Sequence, residues 1–135
     1  MIFGSKREAI RTERGQAMTE FVLILPLLAL LIFGIVQLGI VFNNYVTITD
    51  ATRAGARKGA VGRYLSNPCA AAEAAVRNSA PNLNQAQLNV QVCPPSTFQP
   101  GTNVTVTTTY PYAISLLGVV VKSGQLTSTT TERVE

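Results

Sequence analysis

The chain has no histidine and no tryptophan, and only seven carboxylates among 135 residues. Charged residues make up 13% of it, about half of the roughly 25% usual in a soluble domain. Without histidine there is no imidazole for proton shuttling or metal ligation. The few acids leave little for paired-carboxylate chemistry. No glycine-rich phosphate loop occurs. The net charge of +4 is small and does not form the long basic face a nucleic-acid binder needs. These absences exclude most enzyme classes and point to no cofactor, no metal and no small-molecule substrate.

Cysteine is scarce too. Cys69 and Cys93 are the only two, and neither sits in a metal-ligand pattern. A lone pair in a small extracytoplasmic module reads as a disulfide; two buried thiols are the other reading. A bridge would close a loop of roughly 25 residues and contribute about 3 kcal/mol in the chain-entropy model.

What is abundant is apolar sequence in one block. FVLILPLLALLIFGIVQLGIVF, from Phe21 to Phe42, has one polar side chain, Gln37, and no charge. About 20 apolar residues in a helix cross a ~30 Å hydrocarbon core. A buried core helix is the other reading, against which stands the lack of any other segment that could surround so apolar a helix. A cleaved secretory signal would have a shorter apolar region, followed by small residues, whereas Asn43, Asn44 and Tyr45 follow this one. The charge brackets the block: Lys6, Arg7, Arg11 and Arg14 before it, Arg53, Arg57, Lys58 and Arg63 after it. The two basic clusters fit headgroup regions, but their balance leaves the positive-inside rule undecided. The cysteines orient the chain instead, with the N-terminus cytoplasmic and the C-terminal part outside the cytoplasm.

The helical pattern continues past Phe42 to about Val61. Ala51, Gly55 and Gly59 recur every fourth residue as a small-residue stripe, while Asp50, Arg53 and Arg57 fall on the other side. Such a stripe lets another helix approach closely; a flexible glycine-rich linker is the alternative. A helix from Gln16 to Val61 would be roughly 70 Å long. Beyond it, Asn67-Pro68 offers a cap and a first-turn proline for a short helix, CAAAEAAVRNSA, with Glu73 and Arg77 spaced to pair. LNVQV (88–92), NVTVTTTYPY (103–112) and QLTSTTTERVE (125–135) read as strands, the last preceded by a turn at Lys122-Ser123-Gly124. The expected class is α+β. A long transmembrane helix extends into a stalk and leads to a small disulfide-tied module with a short helix and about three antiparallel strands. The expected segments are a basic cytoplasmic leader (1–15), a membrane and stalk helix (16–62) and an extracytoplasmic module (63–135).

The informative motif lies where the first basic cluster meets the apolar block: Arg14-Gly15-Gln16-Ala17-Met18-Thr19-Glu20-Phe21. A lone carboxylate at the membrane edge is costly and marks function by default; a snorkelling or first-turn acid is the plainer reading. Gly15, then Glu20-Phe21, then an apolar run with Pro26, resembles a type IV prepilin-like signal. The wider pattern GQAMTEFVLILPLLALLIFGIVQLG, followed by ATRAGARKGA, resembles TadE-like pseudopilins of the Flp/Tad (tight adherence) pilus family, most strongly over residues 14–62. Val22 departs from the alanine expected after Glu-Phe.

That resemblance implies cleavage by a prepilin peptidase between Gly15 and Gln16, on the cytoplasmic face of a bacterial inner membrane. It implies that Glu20 pairs with a freed α-amine at Gln16, of its own or a neighbouring chain. The implied partners are the membrane, the peptidase, other pilin or pseudopilin subunits and the pilus assembly machinery. The implied role is that of a structural subunit in the membrane or in an extracellular pilus, not an enzyme. The competing reading is an unprocessed, single-pass anchored binding module.

Overall fold

The computed structural model describes residues 5–92 and 98–135, with side chains from residue 15 onward. The elements are α1 (Ser5–Ala60), α2 (Pro68–Ser79), β1 (Asn89–Val92), β2 (Asn103–Leu116) and β3 (Val119–Arg133), an α+β arrangement. The chain divides into two compact units, residues 1–37 and 38–135, so the boundary falls inside α1.

The first unit contains only the N-terminal part of α1. The helix runs through Pro26 without interruption, although proline supplies no N–H to the turn before it. Its large side chains point outward: Phe21, Leu23, Leu27, Ile32 and Ile35 are all more than half exposed. None of the most apolar stretch of α1 is buried within the chain. A helix apolar on every side and covered by no protein matches a lipid solvent. By length and composition α1 can cross a membrane once, as a single-pass anchor.

The second unit is built on the rest of the same helix. Ile48, Ala51, Thr52, Gly55, Ala56, Gly59 and Ala60 are buried, and their three- and four-residue steps make one face. Asp50, Arg53 and Arg57 remain in water on the other; Asp50 and Arg53 pair at 3.5 Å. The stripe is filled from within the unit. A Cβ on Gly55 would overlap the Val76 side chain of α2 and lie 3.0 Å from the Ala72 carbonyl oxygen. A Cβ on Gly59 would meet Val104 of β2 at 3.0 Å.

Helix α2 starts where its capping chemistry requires. The Asn67 side chain accepts a hydrogen bond from the Ala70 N–H at 3.0 Å, and Pro68 occupies the first turn. Ala72 and Val76 face the core. Arg77 reaches Glu73 at 2.9 Å and donates to the Gln85 carbonyl at 3.0 Å, tying the helix to the loop that follows.

The sheet is antiparallel with order β1-β2-β3. Along β2, Val104, Val106 and Thr108 are buried, the alternation of a strand with one wet face. On that wet face Thr105 and Thr107 hydrogen-bond to Thr131 and Thr129 of β3 at 2.9 and 3.1 Å. Pro111 fits in the middle strand because β1 stops pairing at Thr109, so no ladder hydrogen bond is lost on that side.

The turn expected at Lys122-Ser123-Gly124 is not a turn. Those residues lie within β3, opposite Ile114, Ala113 and Tyr112, and the chain reverses at Leu117–Gly118 instead. Tyr112 explains how a glycine fits mid-strand: its ring lies 3.0 Å from where a Gly124 Cβ would be, covering the gap the missing side chain leaves. The expected Cys69–Cys93 bridge involves Cys93, which is outside the described residues.

Gly55→Ala should lower the thermal midpoint of the full chain in detergent, because the overpacking cost of about 1–3 kcal/mol outweighs the helix-propensity gain of up to ~1 kcal/mol. Gly39→Ala, with open space around the new methyl, should leave the midpoint unchanged or raise it slightly.

Candidate functional site

Gly15, Gln16 and Glu20 occupy consecutive turns of α1. Four-residue spacing puts Gln16 and Glu20 on one face, and the Gln16 Nε2 donates to Glu20 Oε1 at 3.3 Å. The Thr19 hydroxyl donates to the Gly15 carbonyl oxygen at 2.9 Å, using the back-bond a threonine makes within a helix. All these side chains are exposed. Among the described residues no basic side chain pairs with Glu20. Next in line come Phe21, 62% exposed, and the apolar stretch. Glu20 thus stands one residue before such a stretch, accepting from Gln16 and, among the described side chains, facing no cation.

Around Gly15 there is open space: nothing lies within 4 Å of the place a Cβ would take. The glycine is therefore not required by packing in this chain.

Pro26 lies in the same unit, within α1; the other described residues singled out in the sequence lie in the second unit. Ala51, Gly55 and Gly59 are buried against α2 and β2, so their stripe is already occupied. Cys69 is half-buried in the first turn of α2. It lines a surface cleft with Asn67, Glu73, Val90 and Val92, and Val92 directly precedes Cys93 in the chain. Among the described residues no group of three His, Cys, Asp or Glu side chains is placed to hold a metal ion.

One surface had not been singled out. The β2–β3 turn exposes Leu117, Val119, Val120 and Val121. The signal was present as three consecutive valines after a glycine, but it was overshadowed by the Lys-Ser-Gly that follows.

Comparison with known proteins bears on the N-terminal part. Residues 15–57 match the family model described as TadE-like protein. The match opens on Gly15, takes in Glu20-Phe21 and Pro26, and closes within the small-residue stripe. The resemblance read from the sequence is thus upheld, and the chain is consistent with a TadE-like pilus protein of the Flp/Tad system. No curated protein and no solved structure matches the chain.

Gly15→Ala should leave the helical content and membrane insertion of the purified chain unchanged, read by circular dichroism in vesicles. A loss of helix would mean that Gly15 has a structural role of its own.

Proposed function

We propose that this chain, TadE-like over residues 15–57, is a minor pilin-like subunit for the assembly of a Flp/Tad-type adhesive pilus. The observation that carries this reading is the surface of α1. Its apolar block is apolar on every side, with its most apolar stretch covered by nothing in its own chain, and follows a lone acid, Glu20, five residues after a glycine with open space around it. Such a helix can be stored in lipid and later transferred into a bundle of similar helices, since both surroundings are apolar.

In this reading a membrane-embedded prepilin peptidase cuts between Gly15 and Gln16 on the cytoplasmic side. The cut removes Lys6, Arg7, Arg11 and Arg14, charges that would otherwise hold the helix end in the headgroup layer. It leaves an α-amine on Gln16 and the Glu20 carboxylate one turn further on. In low dielectric an amine and a carboxylate attract far more strongly than in water, and the attraction offsets the desolvation of each. If the amine belongs to the neighbouring subunit, the pair sets the register between subunits.

The C-terminal unit then lies outside the cytoplasm, on the outer side of the bacterial inner membrane. A bridge between Cys69 and Cys93 belongs to the same proposal. It is supported by the place of Cys69 beside Val92 and would join α2 to the end of β1. The role is structural. Any energy for assembly comes from partner proteins of the pilus machinery.

The N-terminal residue of the chain recovered from membranes tests the reading. Gln16 is expected where a prepilin peptidase is active, and the intact leader where it is absent. An intact leader in both would leave an anchored binding module. Glu20→Gln should be cleaved normally. Losing one member of a desolvated pair costs about 3–5 kcal/mol, enough to lower incorporation at least ~100-fold. Wild-type incorporation of the variant would remove the role given to Glu20.

A further inference from the structure

The outer part of the β2–β3 ribbon differs in character from its base. Near the body of the sheet its wet face is threonine paired with threonine. At the tip, Leu117 is 80% exposed, and Val119, Val120 and Val121 are exposed to 67, 59 and 62%. A contiguous group of exposed aliphatic side chains marks a surface that meets something apolar.

The turn gives an independent sign. Leu116 pairs with Val119, so Leu117 and Gly118 form a two-residue loop, with φ of 52° and 84°. Loops of this kind favour Asn-Gly or Gly-Gly, because both residues need positive φ. A leucine there costs about 1–2 kcal/mol, and its side chain gains no burial in exchange. The fold alone would favour a different residue.

The direction of the ribbon identifies the apolar partner. Val104 stands beside Gly59, and Val106 stands 3.7 Å from the Cβ position of Gly55. As β2 advances, it passes α1 residues of falling number. Tyr110 and Leu126, further along the ribbon, pack on the cluster that contains Ile48. Within its own unit the ribbon therefore runs back along α1 in the direction of Phe42. From Gly55 to Phe42 is about 20 Å of helix, whereas Val106 to Leu117 is about 36 Å of strand. The tip passes the level of Phe42 unless the ribbon leans from the helix by more than about 55°.

We propose that the hairpin tip, Leu116–Val121, is a second membrane contact, seated in the phospholipid headgroup–acyl boundary of the leaflet from which α1 emerges. This rests on α1 spanning the bilayer. Lys122, next to the tip and opposite Ile114, is placed to meet lipid phosphate. Tyr112, two residues before Ile114 on β2, and Tyr45, three residues after Phe42 on α1, are residue types that favour this layer. The depth is limited. Among the described residues the ribbon has no third strand beyond Thr109, and hydrocarbon does not tolerate unpaired backbone groups. The tip therefore stops about 5–10 Å into the boundary, as interfacial elements do. The contact would hold the distal unit against the bilayer until assembly pulls the subunit out.

The absence of tryptophan makes a single reporter possible in the full chain, reconstituted into phosphatidylcholine–phosphatidylglycerol vesicles. Val120→Trp replaces an exposed side chain, and Val121→Trp repeats the measurement one residue on. Both should emit at shorter wavelength than tryptophan in water and fall to well under half of their intensity when the acyl chains are brominated. Thr129→Trp, on the same strand but level with Gly55, should be unaffected by bromine. Leu31→Trp reports on α1 itself. Quenching at Leu31 with Val120 and Val121 open to water would overturn the hairpin contact alone. No quenching at Leu31 would instead overturn the membrane reading on which it rests. Reporters shielded from water but untouched by bromine would show protein covering the tip, and would also overturn the proposal.

Discussion

The close approach of α2 and β2 to one face of α1, at Gly55 and Gly59, is the contact on which the distal unit depends. A helix of 12 residues and three strands bury little by themselves. Their core closes because Ile48, Ala51, Ala56 and Ala60 supply its floor. Past Ile48 the floor is made of small residues, so Val76, Val104 and Val106 can come close to the helix at Gly55 and Gly59. Larger side chains on α1 would hold them off and leave a core with voids.

The same helix therefore meets two solvents. From Phe21 to Phe42 it is apolar all round, and its most apolar stretch is not buried within the chain. After Ile48 it is amphipathic, with Arg53 and Arg57 in water and small residues in the core. The change of pattern, from uniform to one-sided, is what divides the chain within a continuous helix.

Much of this was legible because it rests on local chemistry. The apolar block, the Asn67 cap, the Glu73–Arg77 pair and the alternation of Val104 and Val106 each follow from neighbouring residues. The Gly15 and Glu20 pattern was legible as a motif, and the TadE-like match covers it. The ribbon was not. Lys122-Ser123-Gly124 has the composition of a turn, and its place within β3 is set by pairing with Tyr112 to Ile114 across the hairpin. That is a non-local interaction, which no window of sequence contains. β2 likewise runs on to Leu116, past Tyr112 where the sequence pattern ends, and Pro111 is tolerated within it because β1 pairs only as far as Thr109. The stripe of Ala51, Gly55 and Gly59 gave notice of close packing but not of its partners, α2 and β2.

Hydrogen exchange in the full chain, reconstituted in vesicles and read by mass spectrometry, tests most directly whether α1 is at once anchor and core. If the floor of the core is part of the folded unit, amides from Ile48 to Ala60 exchange as slowly as those of Val104 to Thr108 on β2. Fast exchange over Ile48–Ala60, with β2 still protected, would show a frayed linker there and contradict the account.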